Sequence, residues 1–543
     1  MRHKIDKKLI MLSAKVLLFR CFVVCKRKWI KFIKSIIEAH GWHRYWRMFV
    51  LGLIDFFAGT PFSLIIVLPL TFGSLFYVLD KCKNEKIRTQ IAIIFFFQFG
   101  HFVSIFWWLF VPLTTALSIL WWIIPFAIFG VPLFLSLIFL PFFSIGLTIW
   151  NKFSKGKDYA TLYLCAIFII CWFVGDFVRG HFIFGGFPWM MFGHYLDYPI
   201  LIQSVRVLGI DMFSSFFMML VIVPYVWTFK RNIVSRKVCF VVLVLWVVNL
   251  MFGFVVLSIK GRETFDANIA GAQANQPAFF IPNKSVDTDY LGTRISLIGW
   301  LSKSSQDTIL LMPESAIAEN LYSGDGLANS LAGIIPNQRS ILMLGGLDTS
   351  RVQPYNVVYT LVDSGDITSL YKKRRLVPFG EYIPLRHVFP HFTRAIVGSM
   401  VDFATDDDND LFTTHRDLPY IYPVICYESI FPGIVMNGIK KSRAHIRQMS
   451  DEYRKQHRIK SIEERGELII NFTNDAWTKW STSAYQHFLM TRFLAVSTGL
   501  PVVRISNNGI SAFIDSCGRV HERTALNKKD VLFIPGNELN KGK

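Results

Sequence analysis

Between residues 46 and 258, apolar runs rich in Phe, Leu, Ile, Val and Trp follow one another with little interruption. A helix crosses the hydrocarbon of a bilayer in about 20 residues. Seven candidate spans occur, at about 46–59, 62–79, 88–112, 117–149, 158–178, 202–229 and 236–258. The first two form a tight pair broken at Gly59-Thr60-Pro61, and the first is short for a full crossing. The fourth is overlong and holds Pro125, Pro132 and Pro141, so a tilt, kink or split is expected there. Residues 259–543 instead mix polar and apolar segments as a soluble domain does. The expected organisation is a basic N-terminal extension over 1–45, a transmembrane helical domain over 46–258 and a soluble domain over 259–543.

Charge supplies the orientation. The formal net charge is +20, and much of the excess flanks the spans. Lys26, Arg27, Lys28, Lys31, Lys34, Arg44 and Arg47 precede or open the first. Lys81, Lys83, Lys86 and Arg88 separate the second from the third. Lys152, Lys155 and Lys157 follow the fourth, and Lys230, Arg231, Arg236 and Lys237 lie between the sixth and seventh. With seven spans all four groups fall on one side, which is the cytoplasm. The segment after residue 258 is then outside, in the periplasm of a Gram-negative cell. Basic residues in such places meet anionic lipid, so no nucleic-acid partner is expected.

The N-terminal run Leu9–Cys25 is interrupted by Lys15 and Arg20 and shows no small-residue cleavage site, so no removable signal peptide is expected. Eight cysteines are scattered without CxxC or zinc spacing. His387 and His391 have Pro390 between them, which argues against two ligands on one helical face. Neither a disulfide framework nor a metal or cofactor is expected. Asp55, Asp176, Arg179, Arg206 and Asp211 lie in or near spans, where charges face protein or water. Asp176 and Arg179 are spaced to pair on one helix face.

In the soluble half, β-rich runs recur at Thr308–Met312, Ser340–Leu344, Asn356–Val362, Tyr420–Cys426, Glu467–Phe472, Pro501–Ser506 and Ser511–Asp515. Helix-compatible segments such as Tyr485–Ser497 separate several of them, which indicates an α/β domain. Polar residues follow two strand ends, in Met312-Pro313-Glu314-Ser315 and Ile425-Cys426-Tyr427-Glu428. Loops after strand ends are where such domains place their chemistry.

Cys426 supplies a nucleophile once its proton is removed. Glu314 is a candidate base, and Lys373 a candidate cation to favour thiolate and stabilise an oxyanion. Each also has an ordinary structural reading. Cys426 would be a small buried apolar residue, Glu314 a cap for a following helix, and Lys373 part of a solvated basic run, Lys372–Arg375.

These segments resemble the nitrilase superfamily, and within it the apolipoprotein N-acyltransferase family. The matching motifs are MPES at 312–315, YKKRRLVPFGEYIP at 371–384, ICYES at 425–429, NFTNDAW at 471–477, QHFLMTRFLA at 486–495 and RISNNGISAFID at 504–515. In the apolar half, FVRGHFIFGGFPWMMFGHYL at 177–196 and the QFG…WW run at 98–108 match as well. The resemblance covers about residues 46 to 525, and the order and spacing of its motifs are specific together. It implies an α-β-β-α sandwich carried on a multi-span membrane bundle. It further implies Glu314 as general base, Lys373 as oxyanion stabiliser and Cys426 as nucleophile. Lys373 is chosen over Lys372 because it lies eight residues before Glu381. Glu381, Tyr427 and Glu428 match residues that support the triad, and Asn356, in Pro-Tyr-Asn, matches an asparagine near the site or else serves as a buttress.

The reaction so implied passes an acyl group from a phospholipid to the sulfur of Cys426, and then to the N-terminal amine of a diacylglyceryl-cysteine apolipoprotein. Rival readings are a membrane-tethered amidase that uses water, or a catalytically silent membrane scaffold. Three departures from the family stand out. Arg374-Arg375 replaces its usual histidine, a basic helical insertion spans about 438–466, and no apolar return span precedes Lys543, so the C-terminus is expected to stay periplasmic.

Overall fold

The computed structural model describes residues 28–536 apart from 113–123, 154–158, 231, 261–262, 264, 277–306, 318–319, 322–325, 385, 387–401, 407–414, 416–417, 449–465 and 479–480. The run Leu9–Cys25, the pair His387 and His391, and most of the basic insertion lie outside the described residues.

Apolar sequence produces helices first. Five described helices are long and apolar enough to cross a membrane: Ile87–Pro112, Phe126–Phe153, Ala160–His181, Val205–Phe229 and Ile233–Ile259. The expected first two spans are shorter. Helix α1, Trp42–Leu53, runs into a 3₁₀ turn at Ile54–Phe57, and α2 is Val67–Lys81. Their 12 and 15 residues give about 18 and 23 Å of helix at 1.5 Å per residue, against about 30 Å of hydrocarbon. The break expected at Gly59-Thr60-Pro61 is present but wider, since residues 58–66 form turns between the two. Seven helices of spanning length are therefore not present among the described residues. The other long helices of the apolar half are α3 (Ile87–Phe106), α4 (Val131–Phe153), α5 (Ala160–His181), α6 (Val205–Phe229) and α7 (Ile233–Ile259). A π-turn at Phe126–Gly130 leads into α4, which carries Pro141 inside it, so the proline-rich fourth run is irregular where expected.

Residues 1–107, 128–175 and 218–243 form one compact unit, and residues 108–127, 176–217 and 244–543 a second. In the first unit, α1 and α3 meet backbone to backbone. A side chain at Gly52 would collide with the Phe97 carbonyl, and one at Gly100 with the Phe49 carbonyl. Small residues permit this approach, which packing in lipid favours. A buried polar knot lies beside it: Asp55 Oδ2 is 2.8 Å from His101 Nδ1, and the Thr71 hydroxyl donates to Asp55 Oδ1 at 2.6 Å. On α7, Phe240, Val247, Met251 and Phe254 are exposed, as suits a surface solvated by acyl chains.

The second unit contains a two-sheet sandwich. The strands are β1 (Asn268–Gln273), β2 (Thr308–Met312), β3 (Ile341–Asp348), β4 (Tyr355–Leu361), β5 (Ile367–Lys372), β6 (Tyr420–Ile425), β7 (Glu467–Thr473), β8 (Val502–Ser506), β9 (Ala512–Ile514), β10 (Val520–Arg523) and β11 (Asp530–Ile534). One sheet has the order β11-β1-β2-β3-β4-β5 and the other β10-β9-β8-β7-β6. The inner pairs β1/β2, β2/β3, β6/β7 and β7/β8 are parallel. In β1 to β4, alternation along the strand divides the side chains between two cores. Ile309 and Leu311 of β2 join Ile421, Ile470 and Val503 in the core that includes both sheets. Leu310 and Met312 instead pack with Leu331, Leu342 and Tyr359 on the other face. Helices α8 (Pro432–Gln448) and α9 (Ser483–Thr498) contribute Val435, Ile439, Phe488 and Leu494 to the larger core, as in an α-β-β-α arrangement.

Candidate active site

Three strand ends carry the side chains expected to react. Glu314 lies two residues beyond β2, Lys373 directly follows β5, and Cys426 directly follows β6. Strands of both sheets therefore contribute to one site. Glu314 enters a turn, residues 314–317 are not helical, and its carboxylate is taken up by Lys373, Asn356 and Asn474 instead of a helix end. Gly345 in β3 lets this turn approach, since a side chain there would stand 2.6 Å from Glu314 Cα and 2.7 Å from the Pro313 carbonyl.

Lys373 is 1% exposed, which removes the solvated-face alternative. Its Nζ lies 3.2 Å from Glu314 Oε1 and 2.7 Å from Glu381 Oε1. The Asn356 amide donates to the same two oxygens, at 2.8 and 3.0 Å. The backbone N–H groups of Asn474 and Val377 hold the outer oxygens of Glu314 and Glu381, at 3.0 and 2.8 Å. Every oxygen of the two carboxylates is thus oriented. Burial pulls the Lys373 pKa down, but Glu314 and Glu381 outweigh it and the net shift is upward. The ammonium therefore stays charged at neutral pH.

Cys426 has φ 48°, in the left-handed region, and opens the 3₁₀ turn Cys426–Ile430. An L-residue seldom holds this conformation unless its surroundings enforce it. Glu428 does so in part. Its Oε2 accepts from Ile425 N at 2.7 Å, while its Oε1 accepts from Arg374 N at 2.6 Å and Arg375 N at 3.3 Å. The Tyr371 hydroxyl donates to the same carboxylate at 2.9 Å. One carboxylate thereby ties the Cys426 turn to the segment following β5. Cys426 as a residue is only partly buried. Burial and the Glu314 carboxylate push its pKa up, against the pull of Lys373, so the resting sulfur is protonated. Tyr427 points elsewhere in the same unit, donating to the Gly186 carbonyl at 3.3 Å.

The sequence reading brought Glu314, Lys373, Cys426, Glu381, Glu428 and Asn356 to this site but passed over a second buried network. His487 Nδ1 is 2.9 Å from Asp475 Oδ1, and its Nε2 is 3.1 Å from the Cys426 carbonyl and from Ser429 Oγ. Arg504 donates to Asp475 Oδ2 at 2.7 Å, Asn471 Oδ1 at 2.8 Å and Thr491 Oγ1 at 3.0 Å. Burial raises the Asp475 carboxyl, but Arg504 and His487 outweigh it and hold it well below the usual range. Burial, aided by Arg504, pushes the His487 imidazolium toward its neutral form. An available signal was Arg504 itself, a charge inside the apolar run Val502–Ser506, because a buried charge requires a partner.

Around the site, the second unit also gathers residues 182–198, which join α5 to α6. The indoles of Trp108 and Trp189 donate to Gln486 Oε1 of α9, at 3.0 and 2.8 Å. Arg492 pairs with Asp197. Arg179 Nη2 meets Asp176 Oδ1 at 2.7 Å and its Nη1 donates to the Trp189 carbonyl at 2.7 Å, so the expected pair forms and also holds the loop. Chemically, a thiol beside a carboxylate and a fixed ammonium suits nucleophilic acyl transfer. No group of three or more His, Cys, Asp or Glu suited to a metal occurs among the described residues.

Comparison with known proteins places two family models on the chain. Residues 51–223 match the apolipoprotein N-acyltransferase N-terminal domain, and residues 328–534 match carbon-nitrogen hydrolase. Among relatives, an apolipoprotein N-acyltransferase from Rickettsia prowazekii is 28% identical over 89% of this chain and 90% of its own. One from Rhodopseudomonas palustris is 27% identical over 92% of this chain and 90% of its own. A solved CN-hydrolase superfamily protein from Xanthomonas campestris is 17% identical with a TM-score of 0.34, over 50% of this chain and 89% of its own.

Proposed function

The chain belongs to the apolipoprotein N-acyltransferase family, and on that premise we propose that Cys426, Glu314 and Lys373 carry a fatty acyl group from a membrane phospholipid to the N-terminal amine of a diacylglyceryl-cysteine lipoprotein. The observation that carries this reading is the Lys373 ammonium fixed between Glu314 and Glu381, at strand ends that also carry the Cys426 thiol.

In the first half-reaction Glu314 takes the thiol proton as the Cys426 sulfur attacks an ester carbonyl of the donor. Lys373 lies ready to balance the negative charge that develops on the carbonyl oxygen. The carbon–oxygen bond then breaks, the leaving oxygen takes the proton from Glu314, and lysophospholipid departs from an acyl thioester. In the second half the neutral α-amine attacks the thioester and Glu314 accepts its proton. The sulfur leaves, recovers that proton, and an amide remains. Asn356 and Glu381 are positioning residues, since they orient Glu314 and Lys373. Glu428 positions the nucleophile turn, and Tyr427 ties that turn to residues 182–198.

A donor with two acyl chains stays in its bilayer, because each buried CH₂ is worth about 0.8 kcal/mol. The enzyme is a membrane protein, and its basic loops favour an inner-membrane topology with the sandwich on the periplasmic side. Sequential addition tests the reaction. Purified protein incubated with phospholipid, then freed of it, should pass one acyl group to an added diacylglyceryl lipopeptide. Release of free fatty acid with no acylated lipopeptide would replace transfer with hydrolysis.

A further inference from the structure

Two residues beyond Lys373, the Arg375 guanidinium has no hydrogen bond or ion pair among the described residues, and its Nε is closed off from solvent without a partner. The backbone of Arg375 is held firmly all the same, through the N–H that donates to Glu428 at 3.3 Å. The guanidinium lies by the 182–198 loop, and a Cβ at Gly185 would stand 3.8 Å from Arg375 Nη1. It is also near enough to Tyr382 and Tyr427 to pull both phenol pKa values down against their burial. Leaving a half-buried cation unpaired is costly, so a bound anion is its expected complement.

The surroundings restrict that anion. Phe184 and Phe379 are 36% and 63% exposed, and their rings meet edge to face at 5.9 Å. Both Phe184 and Phe379 have positive φ, 50° and 63°, an unfavourable backbone for an aromatic residue. The Tyr382 hydroxyl donates to the Phe184 carbonyl at 3.2 Å and helps fix the arrangement. An unpaired guanidinium rimmed by exposed aromatic rings suits a ligand with one anionic group and attached hydrocarbon. A small free anion would leave the rings uncovered.

We propose that Arg375 binds the phosphodiester of the phospholipid donor, with Phe184 and Phe379 against the glycerol and the first carbons of its chains, so that the ester is presented to Cys426. This deepens the acyl-transfer reading and rests on it. Arginine suits the task because its fork of N–H donors matches phosphate oxygens. A guanidinium also stays charged at any physiological pH, so the phosphodiester would be held by a permanent charge.

The test compares two donors with identical chains, dioleoyl phosphatidylethanolamine and dioleoylglycerol, in mixed micelles with the full-length protein. The readout is the rate of acyl-thioester formation on Cys426, together with donor retention by the Cys426→Ser protein. A charge-assisted contact of this kind corresponds to about a ten- to hundredfold preference. The wild type should favour the phospholipid by that margin. Arg375→Gln should raise the KM for phospholipid and cut the rate ratio between donors about tenfold or more, with Arg375→Lys between them. An unchanged ratio in Arg375→Gln, with phospholipid retention equal to wild type, would overturn the assignment. Absence of acylation from both donors in the wild type would sink the transfer reaction, and the retention arm would still decide the role of Arg375.

Discussion

Replacing Glu428 by glutamine is the most informative single change, because shape is kept while one acceptor becomes a donor. The carboxylate is 4% exposed and accepts from Arg374 N, Arg375 N and Ile425 N at 2.6, 3.3 and 2.7 Å. In Glu428→Gln the new side-chain amide would best place its carbonyl toward Arg374 and Arg375, which sets its NH₂ against the Ile425 N–H. A buried donor left without an acceptor costs about 1–3 kcal/mol, and the surviving bonds lose their charge assistance. A total of about 3 kcal/mol falls on the residue just before Cys426. Should that strain be expressed in the transition state for acylation, the rate falls about a hundredfold. The assay is the rate of acyl-thioester formation under saturating phospholipid, with thermal unfolding in parallel. Wild-type rate and unfolding temperature in Glu428→Gln would refute the argument that this carboxylate holds the nucleophile turn.

Other outcomes follow from the same geometry. Lys373→Met should lower acylation by about a hundredfold or more, as removal of an oxyanion donor does, with lipid retention preserved. Gly345→Ala should displace the Glu314 turn, since its Cβ would sit 2.6 Å from Glu314 Cα, lowering both activity and unfolding temperature. Alkylation of resting Cys426 by iodoacetamide should be slow at neutral pH and still be rising above pH about 8.5, the ordinary cysteine value, because burial and Glu314 raise this thiol. A plateau below that pH would contradict it. Asp475→Asn leaves Arg504 buried without its carboxylate and should cost about 3–5 kcal/mol of stability. Asp475 has a depressed pKa in the fold, so its stabilisation is complete above the unfolded value of about 3.9 and is lost in more acid solution. The unfolding difference between wild type and Asp475→Asn should therefore stay level from about pH 5 to 8 and shrink only below pH about 4.

Legibility in the sequence followed physical strength. β2 appears where its apolar run placed it, Thr308–Met312, and β6, β7 and β8 differ from their runs by a residue at an end. These strands are buried along most of their length, so tertiary packing and local propensity agree. β1, Asn-Ile-Ala-Gly-Ala-Gln, was not legible, since Ala and Gly have weak strand propensity. Its Gly271 is needed because Ile505 of the other sheet would collide with any side chain there. β5 was hidden behind the turn at Gly365, and β11 is a short strand that pairs with β1 across the whole domain. In the apolar half, the break at Gly59-Thr60-Pro61 was legible, but not the 3₁₀ turn at Ile54–Phe57 or the turns at 58–66 that shorten α1 and α2. At the site, motifs gave Glu314, Lys373 and Cys426. Asp475, His487 and Arg504 lie inside the matched motifs at 471–477, 486–495 and 504–515, but their mutual contacts join distant segments, and the charge in β8 alone pointed to a buried partner.

Everything about the chemistry depends on covalent capture of the acyl group by one sulfur. Intact mass and peptide mapping of the full-length protein after incubation with dioleoyl phosphatidylethanolamine test it directly. A single oleoyl group on Cys426, labile to hydroxylamine and absent from Cys426→Ser and Glu314→Gln, is the predicted result. An unmodified Cys426 in protein that still acylates lipopeptide, or an adduct on another residue that survives Cys426→Ser, would contradict the proposed mechanism.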